Sequence, residues 1–468
     1  MSTAIVLFRR ELRFFDNTAL HVAVSSGMKI IPMFIFTPEQ VSDKNLYKSN
    51  HAVRFMVESL LELDSQHPLW CFYGEQHTTI DKLLSSEKIT TVYAARDYTR
   101  YAIQRDKQIK SVCENHGVEF VQVEDVLLNP IGSVLTQNGE YYQKYTPYKT
   151  AVLQTLPAHG FELTPEPAAT KFIKPPAAHT LKKILTKYKK FVLPTFKFTV
   201  PEEFRGGRAM GLIKLKHSLK SVVKDYSKHR DNLADPNSTS RLSPYIKFGC
   251  LSVREVYNSW YNTPGGTGLV AQLIWRDFYY NIGYGYPHIY ENLSLKPQYD
   301  TIKWQGDKKW LERWKTGTTG FPVVDAGMRE LIETGYMHNR ARLITSGFLI
   351  KILLIDWREG EKWYSQNLVD IDRAVNNGNW QWSSSSGADS QPYFRILNPW
   401  RQSAKFDPEA VYIKHWVPEL EQVPAADIHN WEEHEVQKRW AGMVNYPAPM
   451  VHYKTQRALA LKMYKQKS

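Results

Sequence analysis

Cysteine is scarce in this chain of 468 residues: Cys71, Cys113 and Cys250 stand far apart, odd in number and with no CxxC pair. That excludes a disulfide framework and the usual thiolate sites for zinc or an iron–sulfur cluster, and leaves three ordinary buried thiols. Long apolar runs are missing as well. Even the stretch 347–355 is broken by Lys351, short of the roughly 18 residues a membrane helix needs. At the start, the apolar run 4–8 meets Arg9 and Arg10 at once, which is too short and has the wrong charge order for a signal peptide. The expected location is inside the cell, in cytoplasm or nucleus. No GxGxxG follows the first β-rich run, which counts against a dehydrogenase. Tryptophan is almost absent from the first half. Of fourteen, thirteen come from Trp260 onward, so the aromatic chemistry belongs to the C-terminal part.

What is present divides the chain. Its length exceeds what one hydrophobic core usually serves, so two domains and a connection are expected. The net charge of +13 is concentrated in residues 171–230, which hold sixteen Lys or Arg against Glu202, Glu203 and Asp225. Such a block suits a nucleic-acid backbone and equally suits a solvated connection. From residue 3 to about 125, short β-branched or apolar runs (3–8, 29–36, 69–73, 91–94, 118–123) alternate with helical segments such as 50–64 and 98–116. The pattern predicts a doubly wound, five-stranded parallel sheet with helices on both faces, able to take a ligand beyond its carboxyl ends. Residues 129–205 are rich in Lys and Pro, including Pro147, Pro157, Pro175, Pro176 and Pro194, and read as a connection. Beyond them the pattern is helical. The expected domains are 1–128, 129–205 and 206–468.

Three segments carry chemistry. Thr239-Ser-Arg-Leu-Ser243-Pro244 offers hydroxyls, a guanidinium and a proline suited to a first helical turn, a cradle for a diphosphate or simply a capped helix start. Gln272, Trp275, Arg276 and Tyr279 fall at i, i+3, i+4 and i+7, one helix face that carries an amide, a cation and two aromatics. The densest cluster runs from Gly335 to Asn398 and contains Tyr336-Met-His-Asn339-Arg340-Ala-Arg342, Asp356-Trp357, Asp370-Ile371-Asp372, Asn376-Asn-Gly-Asn-Trp380-Gln-Trp382 and Pro392-Tyr-Phe-Arg395. Trp380 and Trp382, two apart, point to nearly opposite sides of any regular element and cannot share one role.

With these motifs, and with Phe8-Arg-Arg-Glu-Leu-Arg13 and Asp16-Asn17 near the start, the chain resembles the photolyase and cryptochrome family, most closely its class I-type cyclobutane pyrimidine dimer photolyases. The resemblance implies an α/β domain, a long connection and a helical domain that holds FAD. By it, Tyr226, Thr239, Ser240, Arg241, Leu242 and Ser243 hold the flavin phosphates, while Gln272, Arg276, Asp370, Ile371 and Asp372 surround the rest of the cofactor and Arg342 pairs with Asp370. Asn376 falls where photolyases place Asn near flavin N5, whereas plant cryptochromes carry Asp and animal ones Cys. Trp380, Trp357 and Trp304 match the series that passes electrons from the surface to the flavin. Trp275 and Trp382 match the pair that sandwiches a flipped pyrimidine dimer. Arg230, Asn339, Arg340 and Arg395 match contacts to the lesion or its flanking phosphates. The implied partner is UV-damaged DNA, bound by a single chain without a metal or a membrane.

The lesion type follows from a substitution. Photolyases for (6-4) photoproducts use a His pair where this chain has Asn339 and Leu343, so no protonated imidazole is expected there. One position departs from the dimer-repair pattern: Gln272 stands where Glu is usual, and an amide cannot supply a compensating charge. Leu343 stands where Met is common. The resemblance also implies an antenna pigment, folate or deazaflavin, in or beside the α/β domain. Gln104 stands where the folate-binding branch has Glu, and the choice of pigment stays open. The alternatives are a (6-4) photolyase and a cryptochrome-type light sensor. A sensor usually adds a long tail, whereas this chain runs about twenty residues past Met450.

Overall fold

The computed structural model describes residues 2–193 and 201–465; Pro194 and Lys197, named or counted above, lie outside them. Five parallel strands, β1 (Thr3–Phe8), β2 (Lys29–Phe36), β3 (Trp70–Tyr73), β4 (Thr91–Ala95) and β5 (Glu119–Val123), form one sheet in the order β3-β2-β1-β4-β5. The expected runs match to within a residue at each end. Because side chains alternate along a strand, Ile5 and Leu7 pack on one face with Ile80, Leu83 and Ile109. Ala4, Val6 and Phe8 pack on the other with Leu20, Phe55 and Leu60. That second cluster continues into the C-terminal half through Leu215, Val256, Leu273 and Phe278, so one apolar layer joins the two domains.

Residues 129–205 do more than connect. The helix Tyr145–Thr155 packs on the long helix Thr267–Gly285, and the helix Leu181–Lys187 packs on β3, where Tyr188 stacks on Tyr73 at 4.2 Å. The basic block is therefore split. Its first part lies beside the sheet, and its second, which ends in Arg230, reaches the helical domain.

The helical domain is assembled from capped helices around a second core. His338 caps Asn339–Lys351, Asp356 caps Trp357–Asn367, and Asp372 caps Arg373–Ser383. Two glycines let that last helix sit close to its neighbours. A Cβ at Gly378 would stand 2.1 Å from the Tyr279 ring, and one at Gly360 would stand 2.1 Å from the Trp380 ring.

Buried ion pairs fasten the domains. Arg13 meets Asp125 at 2.6 Å, Arg254 meets Asp16 and Asp125 at 2.9 Å each, and Arg10 meets Asp372 at 2.5 Å. Burial alone would raise the Asp125 carboxyl, but Arg13 and Arg254 outweigh it and hold it down to about 2.

Candidate active site

A cavity of about 520 Å³ opens in the helical domain. One wall is Tyr226 and Arg230 with the segment Thr239–Ser243, which the helix Ser243–Lys247 follows. Arg241 turns this segment with φ +51°, unusual for a side-chain-bearing residue. Its guanidinium meets Glu203 at 3.1 Å. Thr239 Oγ1 lies 3.3 Å from the Tyr336 hydroxyl, and Ser243 Oγ donates to Asp370 Oδ2 at 2.6 Å.

The second wall is one face of the helix Thr267–Gly285, where Gln272, Trp275, Arg276 and Tyr279 all border the cavity, as their spacing predicts. Arg276 Nη1 donates to Val126 O at 2.8 Å, whereas its buried Nη2 has no partner. Tyr145, which does not line the cavity, stacks ring on ring with Trp275 at 3.6 Å with an interplanar angle of 8°, and its hydroxyl donates to Ala271 O.

The remaining walls come from the dense motif cluster. Asn339, Arg340, Arg342 and Leu343 reach the cavity from Asn339–Lys351 and its start; Ile371, Asp372, Asn376, Trp380 and Trp382 reach it from the segment that follows. Arg342 meets Asp370 Oδ2 at 2.9 Å, which leaves Asp370 Oδ1 buried without a partner. Asp372 already has internal partners: Oδ1 accepts from the Ala374 and Val375 N–H groups, and Oδ2 accepts from Arg10 and the Tyr280 hydroxyl. Burial would raise this carboxyl, but Arg10 and Arg276 outweigh it and hold it down to about 2. Asn376 donates both amide hydrogens, to Glu361 O and Ser365 Oγ at 3.0 Å each.

Three of the expected residues lie outside this cavity. Arg395 lines a second, smaller one beside it. Trp357 is fully buried, and Trp304 is half-buried. The Trp380 ring edge meets the neighbouring helix Trp357–Asn367 at Gly360, one turn beyond Trp357. Gln305 and Gly306 donate their N–H groups to Leu354 O, in the segment that leads into that helix. The closest aromatic neighbours of Trp380 were not anticipated: Tyr364 at 4.9 Å and Trp314 at 6.3 Å. Lys247 was also missed. It borders the cavity, and burial with the charge of Arg10 pushes its amine down to about 7. Only its place directly after the Thr239–Ser243 motif could have marked it.

The orphaned Asp370 Oδ1 and Arg276 Nη2, one acceptor and one donor in the same wall system, are what a large polyfunctional ligand such as FAD would satisfy. A parallel α/β domain fastened to a helical domain with such a cavity defines a two-domain flavoprotein. The C-terminal part matches the FAD-binding domain of DNA photolyase over residues 269–466, and the N-terminal part matches the DNA photolyase domain over residues 4–169. Over 98% of its length and 99% of the relative's, the chain is 35% identical to the deoxyribodipyrimidine photo-lyase of Vibrio cholerae. A photolyase from Sulfolobus tokodaii, described with two FAD molecules, superposes with TM-score 0.85 at 36% identity and covers 99% of this chain and 100% of its own. A class III photolyase from Agrobacterium tumefaciens superposes with TM-score 0.88 at 31% identity over 99% and 97%. The chain belongs to the DNA photolyase family, and its enzyme class is that of the deoxyribodipyrimidine photo-lyases. Among the described residues no helix is long and apolar enough to cross a membrane.

Proposed function

We propose that this chain splits cyclobutane pyrimidine dimers in UV-damaged DNA by light-driven electron transfer, with the lesion flipped into the cavity. When bound, FAD supplies the photochemistry, an electron given and taken back. The observation that carries the reading is that Asn376 and the pair Trp275 and Trp382 border one cavity. Tyr226 and Thr239–Ser243 hold the cofactor phosphates, while Arg342 and Asp370 hold its ring. Asn376 has both amide hydrogens engaged, so it presents only its carbonyl to the cavity: an acceptor for a reduced flavin, without added negative charge. Trp380, Trp357 and Trp304 form the route for electrons from the surface, and Arg230, Asn339, Arg340 and Arg395 hold the lesion and its flanking phosphates.

The imidazole that caps the helix Asn339–Lys351 supports a dimer over a (6-4) lesion. His338 accepts the Arg340 N–H at Nδ1, and burial with the charge of Arg241 pushes it down to about 4. A neutral, engaged ring cannot act as a general acid.

The antenna site is assigned to the carboxyl end of the sheet. Arg9 and Arg105 both meet the carboxylate of Asp106 there, with Glu11 and Asp97 also near, and Arg9 Nε and Arg105 Nη2 are buried without hydrogen-bond partners. Burial, with the charge of Arg105, pushes Arg9 down to about 10. The two unpartnered guanidinium N–H groups suit an anionic pigment, a folate, a deazaflavin or a second flavin. Gln104 lies exposed on the same helix as Arg105.

The test is to illuminate the reduced, flavin-loaded protein at near-ultraviolet to blue wavelengths with oligonucleotides that carry each lesion. Loss of the cyclobutane dimer alone is expected. Loss of only the (6-4) lesion, or of neither, overturns the reading, and the second outcome favours a light sensor.

A further inference from the structure

The second cavity, of about 290 Å³, shares Asp231, Arg340, Leu343 and Trp382 with the first as common walls. Arg395 and Lys405 line it without an ion pair among the described residues, as suits flanking phosphates, and its other polar groups are mostly committed. Arg340 meets Asp231 at 2.6 Å and lies 4.3 Å from the centre of the Phe406 ring. Gln391 donates to Ser383 O at 3.2 Å. The exception is Gln402, on the helix Pro399–Phe406: its carbonyl Oε1 is buried and has no hydrogen-bond partner. A buried acceptor without a donor costs roughly 1–3 kcal/mol, so the group that completes it brings a hydrogen. A phosphate at neutral pH offers no strong donor. A planar base with an exocyclic amino group does, and the Phe406 and Trp382 rings give it aromatic surface.

The function proposed above creates such a group. Lifting two fused pyrimidines out of a duplex leaves the bases opposite unpaired, at a cost of a few kcal/mol. We propose that the second cavity is a nucleobase subsite. It takes an amino-bearing base of the strand opposite the lesion, adenine for a thymine dimer, whose amino group donates to Gln402 Oε1. Because Trp382 borders both cavities, lesion and orphaned base are held within one side chain of each other. This inference rests on the repair reading and deepens it by naming the second strand as a ligand.

The test is dark binding by the flavin-loaded protein to four oligonucleotides. These are a single strand with a thymine dimer, the dimer duplex with adenines opposite, the same duplex with abasic sites opposite, and undamaged duplex. Wild type is expected to prefer adenines to abasic sites. Gln402→Leu is expected to weaken the adenine duplex about tenfold, the scale of one hydrogen bond to a base edge, and to leave the single strand and the abasic duplex unchanged. Gln402→Glu, which keeps an acceptor, restores most of the affinity and shows that the fold is intact, as does unchanged flavin absorbance. Equal weakening of every lesion ligand, or no change in any, overturns the subsite. A wild type that binds no lesion ligand overturns the repair reading itself, and the subsite with it.

Discussion

Trp380 is fully buried and touches Tyr364 and Trp314 edge to face, so a phenyl ring in its place preserves most of the packing and removes the indole. Trp380→Phe is expected to slow photoreduction of oxidised flavin by about tenfold or more, equivalent to roughly 1.4 kcal/mol of barrier for each factor of ten. Repair by protein reduced beforehand should be unchanged, because in the proposed function the tryptophan series loads the flavin and takes no part in dimer splitting. Parallel loss of both would show that Trp380 serves the dimer directly. Gln272 is exposed at the cavity wall, with Nε2 only 3.5 Å from Gly268 O. A carboxylate would find Arg276 one turn further along the same face. Gln272→Glu is therefore expected to hold or raise dimer binding and quantum yield, measured under steady illumination. Abolished dimer repair would mean that the pocket is misread at this position.

At the scale of elements, the helix Thr267–Gly285 was legible because its period of 3.6 placed an amide, a cation and two aromatics on one face, and all four border the cavity. The helix that supports it was not. Tyr145 lies in a proline-broken stretch, and its partner Trp275 is 130 residues away, so no local pattern could pair them. Their stack fixes the indole plane against which the lesion is expected to lie. A stacked aromatic pair contributes about 0.5–1.5 kcal/mol beyond area burial, so Tyr145→Ala should weaken binding of dimer-containing DNA by roughly two- to tenfold at constant flavin content. Tyr145→Phe should bind like wild type, since it loses only the bond to Ala271 O. Titration of fluorescent oligonucleotides with all three proteins checks this, and equal affinities would remove Tyr145 from lesion recognition.

Over the whole molecule, the domain junction is a buried charged network, and Glu11 is its weakest member. Its carboxylate accepts the Arg9 and Arg10 N–H groups, yet burial and the charge of Asp125 raise it to about 7. A carboxyl raised on folding holds a proton that the unfolded chain has released, so wild type loses this stability as pH rises from about 4.5 to 7. Glu11→Gln has no such proton to release. Relative to wild type it should gain on the order of 3 kcal/mol across that window and then level off. Denaturant melts at pH 4.5, 6 and 8 measure this, and a constant difference would show that Glu11 is ionised throughout.

Short apolar or β-branched runs by themselves determined the five strands, since the inner strands of a parallel sheet are covered on both faces, and periodicity set the cavity-facing helix, since amphipathic spacing survives without neighbours. Composition placed the aromatic chemistry in the C-terminal half. Tertiary structure alone decided which polar groups were left over. Asp372 is committed to Arg10 and Tyr280, whereas Asp370, Arg276 and Gln402 each keep an unpartnered atom. Hydrogen-bond satisfaction depends on contacts between residues far apart in the chain, and those exist only once the helices have packed.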